Sequence, residues 1–88
     1  MIPESLIGKR VVVDTNSSYT IVGTLIEKQQ GCLILEQVDL HDQNSANTHQ
    51  DLYLSDVLDN GVQANRKKIH VLLDKVICIT DLDDIISY

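Results

Sequence analysis

Tyr19-Thr20-Ile21-Val22-Gly23-Thr24-Leu25-Ile26-Glu27 reads as a strand with apolar residues on both of its faces. Tyr19, Ile21 and Leu25 share one face with Gly23 between them, while Val22 and Ile26 occupy the other. Side chains alternate along a strand, so this pattern predicts one that is covered twice, by curling of its own sheet or by a neighbouring subunit. Gly23 inside the run predicts a bend or the close approach of another backbone.

Working outward, Arg10-Val11-Val12-Val13-Asp14 is a β-branched run ended by the turn formers Asn16-Ser17-Ser18. On the other side, Lys28-Gln29-Gln30-Gly31 predicts a polar turn, and Cys32 to Leu40 a third strand. These three make a meander. From Asp42 to Asn65 the chain is polar, with Thr48-x-x-Asp51 in capping-box form ahead of Leu52, Tyr53, Leu54, Val57 and Leu58. With Asn60-Gly61 as a stop, a short helix is predicted there; the alternation of Leu52 and Leu54 leaves a strand at 51–54 as the other reading. Lys68 to Leu73 and Val76 to Thr80 are two further short strands, and the Asp74-Lys75 spacer predicts a tight hairpin. In the tail, Thr80-x-x-Asp83 predicts one capped helical turn over 81–86. Five short, bent strands close into a small barrel, which removes most free edges.

The 88 residues suffice for one domain, 1–88, and with no Phe or Trp its core is thin enough to gain from association. No run approaches the ~20 apolar residues of a membrane span, and Met1–Lys9 is no leader, so a cytoplasmic location is expected. Cys32 and Cys78 sit in apolar runs outside any C-x-x-C pattern, which predicts two buried, reduced thiols. A net charge of −6 argues against a generic nucleic-acid binder while allowing local basic patches.

Leu6-Ile7-Gly8-Lys9-Arg10-Val11-Val12-Val13, Tyr19, Val22-Gly23-Thr24-Leu25, Leu33-Ile34-Leu35 and Val38 resemble the first motif of the Sm/LSm family. Val76-Ile77-Cys78-Ile79 resembles the end of the second motif, and the polar stretch 41–66 falls where that family carries its variable loop, between strands 3 and 4. Asn65-Arg66-Lys67-Lys68-Ile69 with the acidic tail is also similar to divergent Sm-like proteins of marine phage type. The resemblance implies an all-β fold, a strongly bent five-stranded open barrel of SH3-like form. It further implies a homo-oligomeric ring in which strand 4 of one copy pairs with strand 5 of the next, with RNA held near the pore by two turns.

Those turns depart from the family pattern. Lys28-Gln29-Gln30-Gly31-Cys32 lacks the family's Asp, stacking aromatic or His, and Asn; Leu72-Leu73 stand where Arg-Gly is usual; and the Tyr-Lys-His signature of the bacterial Sm-like chaperone is missing. Stacking worth ~1–3 kcal/mol per base is thereby lost. What the resemblance leaves for RNA, or single-stranded DNA, is Lys28 and Lys75 on phosphates and Gln29 or Gln30 as amide donors and acceptors. Asn65 and the cluster Arg66-Lys67-Lys68 add either a second basic patch, multiplied around a ring, or a solvated charge run opening a strand.

The other chemistry-bearing residues read as structural. His41, Asp42, His49 and Asp51 match no compact metal-ligand spacing, and Asp81, Asp83 and Asp84 read as capping and solubilising charges. His70 alternates with Ile69 and Val71 and so faces solvent or a subunit contact. Ser17, Ser18 and Ser55 lie in no G-x-S-x-G elbow, and no glycine-rich phosphate loop exists. The expectation is therefore a non-catalytic RNA-processing or chaperone ring without cofactor or metal. The other readings are an adaptor ring that binds protein, and a monomeric small barrel of another lineage.

Overall fold

A computed structural model describes residues 2–44 and 50–86. The five strands are β1 (Arg10–Thr15), β2 (Tyr19–Gln29), β3 (Cys32–Asp42), β4 (Arg66–Leu72) and β5 (Val76–Asp81), with one helix, α1 (Gln50–Asn60), between β3 and β4. All strand pairs are antiparallel, in the order β4-β3-β2-β1-β5. The architecture is thus a single curled five-stranded sheet with a helix in the long β3–β4 connection.

The curl comes from bulges, each of which adds a residue to one strand and increases local twist. Val22 pairs with Asp39 and Thr24 with Glu36, so Gly23 alone faces Gln37 and Val38. Gln37 takes a left-handed φ of 52° to make this possible. A Cβ on Gly23 would lie 2.9 Å from Val38 Cγ2 and 3.2 Å from the Glu36 carbonyl. The glycine therefore marks a close backbone approach. Ile26 is extra in β2 and Ile77 extra in β5.

Curling buries the inner face around Val11, Val13, Ile21, Leu25, Leu33, Leu35, Val38 and Val71. On the outer face Val12 and Val22 pack under Leu54 and Val57 of α1 and Leu82 of the tail. The two-sided pattern of β2 is satisfied within one chain: curl covers one face and the helix the other. Tyr53, Leu54, Val57 and Leu58 supply the apolar stripe of α1, and Gly61, at φ 88°, ends it by donating its N–H to the Val57 carbonyl. The helix displaces the strand reading of 51–54, while Thr48, its expected cap, lies outside the described residues.

Four expectations need correction. Asp74-Lys75 is no hairpin, because β4 and β5 lie at opposite edges of the sheet. A 3₁₀ turn, Leu73–Lys75, carries the chain between them. Two adjacent strand runs resemble a hairpin locally, yet β5 finds β1. The tail turn, Leu82–Asp84, is capped by Asp81 rather than Thr80, the Asp81 carboxylate accepting the Asp83 N–H. Cys78 is exposed, since the free edge of β5 leaves its apolar run uncovered, and Cys32, at the tip of the β2–β3 hairpin, is only half-buried; both thiols are free. Lys28 and Gln29 belong to β2, leaving Gln30-Gly31 as the turn, and β4 begins at Arg66. Among the described residues no helix is long and apolar enough to cross a membrane.

Candidate nucleic-acid interface

Three turns meet at one end of the barrel. Gln29 pairs with Cys32 as the last rung of the β2–β3 hairpin, and Gly31, at φ 81°, closes it in a conformation that side chains disfavour. Cys32 also pairs with Leu72, and the Leu73 N–H donates to the Gly31 carbonyl at 3.0 Å. The exit of β4 is thereby clamped onto the hairpin tip. Asn16 in turn donates its N–H to the Lys75 carbonyl at 2.7 Å, drawing in the β1–β2 turn. Lys28, Gln29, Gln30 and Lys75, all exposed, share this end.

Lys28 borders a cavity of about 490 Å³ with Leu73, Val76 and Ile79, and Lys75 borders one of about 500 Å³ with Tyr19, Ile69 and Leu72. Each of the two lysines thus borders an apolar cavity. Such groups act as point charges on phosphate oxygens, and the glutamine amides donate and accept at base or sugar edges. Neither the Gln30-Gly31 turn nor the Leu73–Lys75 turn carries a ring of its own, and the exposed Tyr19 ring borders the Lys75 cavity from the start of β2.

The other four expected residues lie elsewhere. Arg66 pairs with Val38 and Lys68 with Glu36, whereas Leu72 pairs with Cys32. Six strand residues at ~3.3 Å each separate the clusters by roughly 20 Å. Asn65 is occupied by its own chain. Its N–H donates to the Val38 carbonyl, its Oδ1 accepts the Leu40 N–H, and its Nδ2 donates to Asp39 Oδ1 and the Leu40 carbonyl.

Sequence reasoning missed the polar cluster behind Asn65. Tyr53 Oη donates to Asp39 Oδ2, and the His41 ring stacks on Tyr53 with centroids 3.7 Å apart and planes at 4°. Among the described residues His41 Nε2 is buried without a hydrogen-bond partner. Burial, then the bond to Asp39, then the charges of Asp39 and Asp56 push the Tyr53 hydroxyl far above its usual pKa. The Tyr53 phenol therefore keeps its proton and serves as a latch on Asp39 rather than as an acid. Its one signal in the sequence was Asp39 and His41 alternating onto a single face of β3. Elsewhere, Cys78 Sγ donates to Asp14 Oδ2 at 3.3 Å. Desolvation, this bond and the Asp14 charge raise the thiol's pKa, which disfavours the nucleophilic thiolate.

No protein-family model and no curated protein matches the chain. Solved structures do. The chain is similar to the Sm protein of Pyrococcus abyssii in complex with a uridine heptamer, at 18% identity and a TM-score of 0.59, over 88% of this chain and 87% of that one. It is also similar to a chain of the NatC complex bound to CoA, at 17% identity and a TM-score of 0.57, over 91% and 84%. Likeness at this level of identity speaks to architecture, and with the strand order, the bulged second strand and the helix-bearing β3–β4 connection it identifies the fold as Sm-like.

Proposed function

We propose that the protein is a non-catalytic, nucleic-acid-binding Sm-like subunit that takes the RNA backbone at its joined turns. The observation that carries this is the Leu73-to-Gly31 hydrogen bond, which unites Lys28, Gln29 and Gln30 with the Lys75 turn at one barrel end. The likeness to an Sm protein in complex with a uridine heptamer supports RNA as the ligand. With no ring on the β2–β3 or β4–β5 turn itself and Tyr19 alone bordering the Lys75 cavity, binding rests mainly on phosphate contacts and discriminates weakly between bases. Such a subunit suits RNA processing or chaperoning in the cytoplasm, without cofactor or metal. Single-stranded DNA offers the same phosphates.

Ring assembly belongs to this reading. β4 and β5 are the outer strands, and each borders one of the two apolar cavities. Leu72 is 58% and Ile77 69% exposed along these edges. A second copy that pairs its β5 with β4 covers both, and repetition brings several weak phosphate sites onto one strand.

Titrating labelled U-rich and mixed oligonucleotides at two salt concentrations tests the proposal. Binding should weaken with salt, and K28Q/K75Q should flatten log K against log salt by about 1.4, at ~0.7 per phosphate contact on single strands. No binding at low salt overturns it. That outcome favours the second reading, an adaptor that binds protein, which the similarity to a chain of the NatC complex supports.

A further inference from the structure

We propose that the entry to β4 forms a second, separate phosphate site, a hollow at the far end of that strand from the turns. The proposal extends the nucleic-acid reading above and would give one strand two points of attachment on each subunit.

A hollow of about 240 Å³ lies between the β3 kink and the start of β4, lined by Gln37, Ala64, Asn65, Arg66 and Lys67. At ~30 Å³ per water it has room for an anionic group with part of its hydration. Three of the chain's seven Lys and Arg residues, Arg66, Lys67 and Lys68, are consecutive and exposed here. Among the described residues the structure holds one ion pair, Lys9–Asp81, and none at this cluster. Lys68 lies opposite Glu36 in the strand register without an ion pair between them. In a chain of net charge −6, such a concentration is where an approaching polyanion is drawn.

The backbone beneath the hollow is fixed. The four hydrogen bonds of Asn65 hold the entry of β4 against β3, and the left-handed Gln37 is locked by the bulge against Gly23. Arg66 Nη1 rests on the Asn65 carbonyl at 3.0 Å, one bond of a guanidinium with five donors. Cations on a fixed platform lose less freedom when a phosphate arrives than cations on a loop would. A nucleic-acid strand stacked at ~3.4 Å per nucleotide needs about six nucleotides to span the roughly 20 Å between hollow and turns.

Length and net-charge controls test this on the full chain. Labelled RNA of about five and about twenty nucleotides is titrated against wild type, R66Q/K67Q, K28Q/K75Q and K9Q/R10Q, the last matching the first variant in net charge. For R66Q/K67Q the expected result on the long strand is a salt slope flatter by about 1.4, with short-strand binding unchanged. K9Q/R10Q should keep the wild-type slope. A wild-type slope in R66Q/K67Q, an equal flattening in K9Q/R10Q, or no long-strand binding by wild type overturns the second site. The turns are judged separately, by short-strand binding in K28Q/K75Q. If that variant matches wild type while R66Q/K67Q loses the long strand, the turn reading falls and the hollow stands.

Discussion

The Tyr53 hydroxyl donates to Asp39 Oδ2 at 2.5 Å, and the other oxygen of the same carboxylate accepts Asn65 Nδ2 at 3.2 Å. One buried carboxylate on β3 therefore fastens α1 on one side and the entry of β4 on the other. A buried carboxylate is tolerated only where donors surround it, so each partner carries part of the cost of the whole. The helix that covers Val12 and Val22 and the platform of the basic cluster are held by the same group.

Tyr53→Phe should destabilise the fold by about 1–3 kcal/mol, because Asp39 keeps its burial and loses a donor. Asn65→Ala should cost a similar amount and leave the Leu40 N–H without its partner. Since both act through Asp39, the double variant should be non-additive in urea unfolding. Strictly additive losses would mean that the two sides are independent.

The raised Tyr53 pKa also predicts an alkaline signature. A tyrosine whose folded pKa exceeds its unfolded value of ~10 contributes stability that is full below that pH. Above it the unfolded state ionises first and binds fewer protons, so stability falls as pH rises. Denaturation midpoints from pH 8 to 11 should fall less steeply in Tyr53→Phe than in wild type. Equal slopes would remove the latch as their cause.

Gly23→Ala tests the bulge. The added methyl meets Val38 Cγ2 at 2.9 Å and, more seriously, the Glu36 carbonyl at 3.2 Å, which is backbone and yields little. Overpacking of this kind costs about 1–3 kcal/mol. Thermal unfolding should show the loss, whereas Gly8→Ala, at a position with open space but a φ of 88°, isolates the cost of backbone strain alone.

At the acid end, Asp81 is the group to follow. The Asp83 N–H chiefly holds its carboxyl below the usual range; burial opposes it, and Lys9 at 3.4 Å adds to the lowering. A lowered folded pKa contributes stability that is present above the unfolded value of ~3.9 and is lost as pH falls through the folded one. Asp81→Asn keeps a capping oxygen and removes the charge. Its stability should vary less than wild type's between pH 5 and 2, and an unchanged acid profile would count against this assignment.

Strand spans were legible because β-branched runs and alternation are local. So was the helix, whose apolar stripe from Tyr53 to Leu58 has helical spacing. Pairing was not. Asp74-Lys75 looks like a hairpin at short range, and only the bulges at Gly23, Ile26 and Ile77 curl the sheet enough for β5 to reach β1. The Asp39–Asn65 contact spans 26 residues and rests on a register that no local pattern encodes. The convergence of Lys28 and Lys75 entered through a family resemblance and acquires a physical basis in the Leu73-to-Gly31 bond.

The two free edges make the last prediction, because a ring built from β4 against β5 is heterologous: each copy offers two different surfaces. Leu72 lies on one and Ile77 on the other, both exposed, so Leu72→Glu or Ile77→Glu should leave the circular dichroism spectrum unchanged. Each should lower the oligomeric state seen by native mass spectrometry at micromolar concentration. Mixing the two variants is the sharper test. The intact β5 edge of Leu72→Glu can meet the intact β4 edge of Ile77→Glu, and the remaining edges are both spoiled. The mixture should therefore stop at a heterodimer, and wild type should close a ring. A monomeric wild type would remove the ring, and higher oligomers in the mixture would place the interface elsewhere.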